Sequence, residues 1–443
     1  MTILANNWKQ LARGKALLVI EDIFDRSAYS NIALNNQLNN KLVTEKDKGL
    51  ITEIVYGTVS HKIRLEWYLS QFIADRDKLD KWVYYLLMIS LYQLLYLDKV
   101  PHHAIVNDAV NIAKNRGNKR GAEKFVNALL RQLSSGDLPD IASIKRKNKR
   151  LSVTYSLPTW LVKKLMDQFG EERAIKIMES LETSSKSSIR VNDPDKFEEI
   201  KLALDAQESA LSPLGLTKPR GHLASNEWFK MGEITIQDET SQLVAPTLDI
   251  KGDEHILDAC SAPGGKTVHM ASYLKTGKVT ALDIYQHKLD LVKENAQRMG
   301  LADKIETRVL DARLVHQNFP ADSFDKILVD APCSGIGLIR RKPDIKYNKE
   351  IQDLEQLQII QLEILASVCQ TVRKGGIITY STCTIFDEEN FQVIEKFLES
   401  HSNFEQVKLN HTQADIVKDG CLLITPEQYQ TDGFFIGQIK RVL

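Results

Sequence analysis

The chain is poor in the features that mark specialised protein classes. It holds five cysteines in 443 residues: Cys260, Cys333, Cys369, Cys383 and Cys421. The number is odd and no pair has the close spacing of a zinc site, so neither a disulfide framework nor a Cys-rich metal centre is expected. A chain of this length buries a core that needs no covalent staples, which points to free thiols in a reducing compartment. No repeat and no low-complexity tract is present, which excludes solenoids and linker-type disorder. The uncharged stretch Trp82–Leu97 is 16 residues long, short of the ~20 that a spanning helix needs. It also contains Ser90 and Gln93, and it reads as a buried bundle helix. Met1–Gln10 shows no signal-peptide pattern. Net charge is absent as well, with 58 basic against 58 acidic residues. The balance is uneven, however. Residues 1–150 hold 24 Lys and Arg against 15 Asp and Glu, and residues 101–150 hold 11 against 4. A basic front half fits contact with a polyphosphate, and equally a solvated face.

What is present falls into three stretches. Apolar residues recur at helical spacing from the start, as in Leu17-Leu18-Ile20-Ile23-Phe24 and Ile51-Ile54-Val55-Val59. Pro101 and Gly117 punctuate the pattern, which predicts an all-helical bundle over 1–140. The basic run Lys145-Arg146-Lys147-Asn148-Lys149-Arg150 follows, read as a linker, a nucleic-acid contact or both. Residues 150–240 are mixed: a turn at Ser156–Trp160 feeds a helix ending near Gly170, and Ser188–Asn192 reads as a strand. From 241 to 443 short strands alternate with helices. Strands are expected at Ile256-Leu257, Val279–Leu282, Ile327–Val329 and Ile377–Tyr380, and helices at Leu289–Met299 and Ile351–Arg373, the last stopped by Gly375-Gly376. That rhythm predicts a Rossmann-like, doubly wound α/β domain with a mostly parallel sheet, behind a small α+β middle domain.

Four motifs carry chemistry. Asp258-Ala259-Cys260-Ser261-Ala262-Pro263-Gly264-Gly265-Lys266-Thr267 follows a strand and opens a helix. Ligands of doubly wound sheets sit beyond the carboxyl ends of the strands, where this loop lies. Its glycines admit close backbone approach. Free amides at the helix start suit a carboxylate, such as the methionine end of S-adenosylmethionine. The spacing is not that of a phosphate-binding Walker loop. Asp283 ends the next strand, 25 residues past Asp258, and fits ribose hydroxyls or a helix cap. Asp311 ends the third strand and fits an adenine amino group or, again, a cap. Val329–Gly337 delivers Asp330, Pro332 and Cys333 to the same edge, and Tyr380–Thr384 delivers Cys383. A lone cysteine is usually core; two at neighbouring strand ends beside an acid and a ligand loop point to a reaction.

With these motifs the chain resembles the bacterial RNA cytosine-5 methyltransferases of the Sun/Fmu (RsmB) family, which act on 16S ribosomal RNA. The resemblance covers nearly the whole chain. It rests on Asp258–Thr267, Asp330–Gly335, Ser381-Thr382-Cys383, Ile339-Arg340-Arg341-Lys342-Pro343-Asp344 and Asp432-Gly433-Phe434-Phe435. The front half is similar to NusB, an RNA-binding factor, through Glu53–Val59 and Phe125–Arg131. Ser261 departs from the family, which usually has Ala there. The resemblance implies an NusB-like RNA-binding domain at 1–140, a linker or RNA-binding subdomain at 150–240 and a catalytic domain at 241–443. It implies S-adenosylmethionine as cofactor, held by Cys260, Ser261, Ala262, Pro263, Gly264, Gly265, Lys266, Asp283, Asp311 and Asp330. No metal is implied. It also implies 16S ribosomal RNA as partner, naked or in an early small-subunit particle, and a cytoplasmic monomer away from any membrane.

The catalytic set implied is Cys383, Cys333 and Asp330. Carbon 5 of cytosine is a poor nucleophile until a thiolate adds to carbon 6. The family assigns that attack to Cys383, product release to Cys333, and activation of the base to Asp330. The residues alone do not rank the thiols, because DNA cytosine-5 methyltransferases use a Pro-Cys nucleophile and Pro332-Cys333 would suit that role. Arg340, Arg341 and Lys342 could grip flanking phosphates or form a solvated turn. Two other readings stand beside this one. A binding-only assembly factor would tolerate a degraded motif, and none is degraded. A transfer RNA or DNA substrate would be separated by tritium transfer from labelled cofactor.

Overall fold

The computed structural model describes residues 7–26, 28–39, 43–117, 121–219 and 223–443. The leader reading at Met1–Gln10 lies largely outside them, as do Lys119 and Arg120 of the basic stretch. The described chain divides into two compact units: Met1–Glu182 with Arg341–Asn348, and Thr183–Arg340 with Lys349–Leu443.

The first unit is helical. Its central helix is Lys81–Tyr96, buried continuously from Val83 to Gln93. A helix apolar on every side has to sit inside a bundle, and Ala12–Arg26, Glu45–Ser60, His102–Arg116 and Ala122–Ser134 surround it. Gln93, one of the polar residues of that run, accepts at Oε1 from Arg13 Nε at 2.8 Å, and Arg13 also pairs with Asp108. Among the described residues no helix is long and apolar enough to cross a membrane.

The basic run is structured. Lys147–Thr154 is a helix, Lys147 pairs with Glu171, and Arg150 donates to Ile144 O. With helices Thr159–Phe169 and Glu171–Ser180, it belongs to the first unit. The units therefore part at Glu182, inside the stretch 150–240 that the sequence sets off as one domain. The apolar faces before that point join helices, and the strands after it pair with one another. Arg341–Asn348 returns to this helical unit. Asp344 accepts from the Ser30 hydroxyl, Lys346 Nζ donates to Ser60 O at 2.7 Å, and Tyr347 OH donates to Ser156 O.

The second unit holds two sheets. The smaller joins β1 (Ser187–Val191), β2 (Gln207–Glu208), β3 (Gly215–Lys218) and β4 (Ile234–Ile236), antiparallel in the order β2-β3-β1-β4. The larger joins β5 (His255–Asp258), β6 (Lys278–Asp283), β7 (Ile305–Val309), β8 (Phe324–Asp330), β9 (Val372–Thr382), β10 (Phe404–Gln406), β11 (Val417–Lys418), β12 (Cys421–Ile424) and β13 (Phe434–Arg441). Its order is β11-β12-β13-β9-β8-β5-β6-β7, with β10 beside β13. Strands β5 to β9 are parallel, and β10 to β13 are antiparallel to their neighbours.

Both faces of this sheet are covered, as double winding requires. Leu257, Ile327, Val329 and Ile378 face helices Ile351–Val368 and Phe391–Ser400, while Ile256, Val279, Leu328 and Ile436 face helix Gly265–Tyr273. One boundary differs from expectation. The long helix ends at Val368, and Gly375-Gly376 lie inside β9. They accompany a register shift opposite Phe324–Lys326, and Gly375 has φ +78°, so these glycines mark a bulge in a strand.

Burial pushes the Lys346 ammonium down to about 7. An unfolded lysine titrates near ~10.4, so the unfolded chain holds more protons between these values and stability rises with pH there. The expected outcome is that the urea midpoint of the wild type climbs from pH 7 to 9 more than that of Lys346→Met. Parallel curves would show that this amine is not desolvated.

Candidate active site

Strand β5 ends in Asp258, and the loop after it turns sharply into helix Gly265–Tyr273. Gly264 makes that turn with φ +102°, and a Cβ there would sit 3.0 Å from Val292 Cα. The loop is fixed by Gly264 N donating to Ser261 O at 2.8 Å and by Ser261 N and Oγ both donating to Leu282 O at the end of β6. The hydroxyl that distinguishes Ser261 is thus satisfied by the neighbouring strand.

A cleft of about 370 Å³ opens above the sheet edge, and Asp258, Cys260, Ser261, Ala262, Pro263, Gly265 and Lys266 all line it. Asp330, Cys383, Asp432 and Phe434 close it from the other side. Gly264 lies beneath, against Val292. Asp283 and Asp311 are not among the lining residues. Asp283 Oδ1 accepts from Tyr285 N at 3.0 Å. Asp311 accepts from Arg313 N and is paired with the Arg313 guanidinium at 2.7 Å, which holds its carboxyl below the usual range. Asp311 caps the short 3-10 turn Ala312–Leu314, whereas Asp283 holds the turn before helix Gln286–Arg298, whose N-cap is Tyr285. Both also lie near Cys260, whose thiol is pushed up by burial and then by the charges of Asp258, Asp330, Asp283 and Asp311. Beyond Asp283, Ile284 and Tyr285 leave 52% and 49% of their surface exposed.

Asp258 accepts from Thr267 Oγ1 at 2.7 Å through Oδ2, while its buried Oδ1 has no protein partner. Burial, with the Asp330 charge adding to it against the Thr267 bond, raises this carboxyl to about 7. An unpaired buried carboxylate oxygen is costly and suits a cation. A cleft offering it beside free amides at a helix start fits an amino acid end, ammonium and carboxylate together.

Across the cleft, Asp330 is held from two sides. Lys266 Nζ donates to Oδ2 and Ser381 Oγ to Oδ1, both at 2.7 Å. Three residues after Asp330 comes Cys333, and two after Ser381 comes Cys383. Their sulfurs lie 3.1 Å apart. Cys383 lines the cleft and Cys333 does not. The Cys333 thiol is pushed well up, first by its hydrogen bond with Cys383 and next by burial. The two cysteine loops are joined by Gly337 N donating to Cys383 O at 3.0 Å. Gly337 also touches Gly433, with Gly433 N donating to Gly337 O at 2.9 Å. A Cβ on Gly337 would fall 2.0 Å from Gly433 O, so these two motifs cross backbone on backbone.

Other residues of the site are silent in the sequence. Arg190, buried in β1, donates to Gln237 Oε1 at 2.6 Å, and burial lowers its guanidinium to about 9. Gln237 and Asp238 line the cleft. Glu389 and Asn390 are buried behind the cysteine loops. No local pattern announces Arg190 or Glu389, because each acts through a contact distant in sequence, with Gln237 and with Ser334. Arg340 is engaged inside the unit, donating to Pro426 O and Thr431 O, so its guanidinium braces a loop.

Residues 245–440 match the family described as 16S rRNA methyltransferase RsmB/F, and residues 10–135 match the NusB family. The chain is 41% identical to the probable ribosomal RNA small subunit methyltransferase B of Bacillus subtilis, covering 98% of this chain and 99% of the relative. It is 30% identical to the protein of the same description from Synechocystis, covering 97% and 99%. The solved structure of PH0851 superposes with a TM-score of 0.81 at 24% identity, covering both chains in full. A methyltransferase homolog from Pyrococcus horikoshii gives 0.58 at 25% identity, covering 68% of this chain and all of that one. A methyltransferase family and this loop together make S-adenosylmethionine the cofactor.

Asp258→Asn is expected to weaken binding of labelled S-adenosylmethionine on the order of ten-fold, the worth of a hydrogen bond to a charged group. Equilibrium dialysis measures it, and unchanged affinity would remove Asp258 from the site.

Proposed function

Since the chain belongs to the RsmB/F family of 16S rRNA methyltransferases, we propose that it methylates carbon 5 of a cytosine in 16S ribosomal RNA through a transient cysteine–cytosine bond. The observation that carries this reading is the pair of sulfurs 3.1 Å apart at the ends of β8 and β9, with only Cys383 lining the cleft. S-adenosylmethionine, when bound, supplies an electrophilic methyl group. Cys260, Ser261, Ala262, Pro263, Gly264, Gly265 and Lys266 form its loop, Asp258 meets its ammonium, and Asp283 and Asp311 stand at its nucleoside end.

Cys383 adds to carbon 6 of the base, and this makes carbon 5 nucleophilic. The thiolate is the attacking form, and the Cys333 sulfur stands beside it at 3.1 Å. After methyl transfer, Cys333 assists removal of the carbon 5 proton and Cys383 leaves as carbon 6 regains its double bond. Asp330, fixed by Lys266 and Ser381, holds the amine and nitrogen 3 edge of the cytosine. A base reaching this cleft has to leave its stack, so an unpaired segment is the substrate. The NusB-like unit extends the RNA footprint, and binding falls steeply with salt. The protein works as a cytoplasmic monomer.

Cys383→Ala is expected to abolish turnover and trapping on 5-fluorocytosine RNA, whereas Cys333→Ala accumulates a stalled protein–RNA adduct, as seen on denaturing gels. The reverse pattern would exchange the two roles. Bisulfite sequencing of ribosomal RNA from a strain lacking the gene is expected to show one small-subunit cytosine losing its protection. Loss in transfer RNA alone would overturn the substrate.

A further inference from the structure

We propose that Glu389 and Asn390 are positioning residues which together set the spacing of the two reactive thiols, a proposal that rests on the roles given to Cys383 and Cys333. Neither side chain touches the cleft, and both are fully buried. What they touch includes the residues that flank the two cysteines. Ser334, next to Cys333, donates its backbone N–H to Glu389 Oε1 at 2.7 Å and its hydroxyl to Oε2 at 2.6 Å. Thr384, next to Cys383, hydrogen-bonds the same carboxylate through its hydroxyl, which lies 3.0 Å from Ser334 Oγ. One carboxylate therefore ties the two cysteine loops together.

Asn390 works on the Cys383 side alone. Its Oδ1 accepts from Thr382 Oγ1 at 2.5 Å and its Nδ2 donates to Thr384 O at 3.1 Å. The residues on both sides of Cys383 are thus held by one amide. The clamp is itself anchored, since Tyr380 OH of β9 donates to Glu389 O at 2.7 Å. Gln361 Nε2 adds a bond to Pro332 O at 2.9 Å, just before Cys333. The Glu389 charge also reaches the Cys333 sulfur and disfavours its thiolate. Volume does not explain this arrangement. A glutamine of the same shape keeps one oxygen for the Ser334 N–H but loses the charge and the second acceptor, so the Ser334 and Thr384 hydroxyls that donate to the carboxylate have to turn and accept from an N–H₂ instead.

The two residues should give different kinetic signatures. Glu389→Gln loosens the Cys333 loop, so adduct formation stays within about three-fold while product release slows on the order of ten-fold or more, because small misplacements of reacting groups cost rate steeply. Asn390→Asp keeps the Thr382 bond and sets an oxygen against Thr384 O. It slows adduct formation instead. Single-turnover kinetics on target RNA separates these steps. A second readout needs neither RNA nor cofactor. Diamide oxidises the two thiols to a disulfide and is itself reduced to the hydrazine, taking both thiol hydrogens. The rate of Cys333–Cys383 closure, followed by peptide mapping of the full chain, reports their spacing directly. It is expected to fall about ten-fold in both variants. Ser334→Ala and Thr384→Val test the clamp from the opposite side should the first pair not fold. Folded variants with wild-type closure rates and wild-type kinetics would overturn the proposal. Altered closure together with exchanged phenotypes for Cys383→Ala and Cys333→Ala would uphold the clamp and overturn the assigned roles.

Discussion

The pairing of Asp330 with Ser381 across β8 and β9 is the constraint on which the site depends. Parallel neighbours leave the sheet at the same edge and in the same direction. Once these two residues are opposite, the loops after them run side by side, and sulfurs from positions 333 and 383 meet at 3.1 Å. The Ser381 hydroxyl on Asp330 reinforces the register with a side-chain bond. A slip of one residue would turn every side chain of β9 to the opposite face, sending Tyr380 and Ile378 out of their core and Ser381 away from the acid. Correct packing of the sheet and correct placement of the thiols are thus one condition.

Charge is distributed with the same economy. Burial first, and then the charges of Asp258, Asp330, Asp283 and Asp311, push the Cys260 thiol up and keep it protonated. The field that silences Cys260 also favours a positively charged cofactor in the adjacent loop. Asp330 and Cys383 line the same cleft, and the Asp330 charge is met there by Lys266 at 2.7 Å.

How much of this was legible depended on whether a residue acts locally. The cofactor loop, Asp330 and both cysteines were visible, because a strand followed by Gly-Gly or Pro-Cys announces itself within ten residues. Helices of the front unit were visible from periodicity. Strands β10 to β13 were not anticipated, since short antiparallel segments take their identity from partners such as β9. Gly375-Gly376 read as a helix stop because a glycine pair is ambiguous until the partner strand is known. Lys145 to Arg150 read by charge as a linker, a nucleic-acid contact or both, and the bonds of Lys147 to Glu171 and of Arg150 to Ile144 O that order the run carry no mark in the sequence. Glu389 sits in the acidic run Asp387–Glu389, which in sequence looks like a solvated turn. Only the fold shows that it is fully buried against Ser334 and Thr384.

The excursion of Arg341–Asn348 into the helical unit has a consequence for how the polypeptide can be divided. The chain crosses between units after Glu182, after Arg340 and again after Asn348. Cutting once at Glu182 would not yield two self-sufficient halves. The catalytic fragment would carry an eight-residue loop whose Pro343, Asp344 and Lys346 had lost the surroundings that bury them. An ancestral catalytic domain gaining this front unit by simple end-to-end fusion would therefore have had to adapt an internal loop as well. The helical unit is written at two distant places in the sequence.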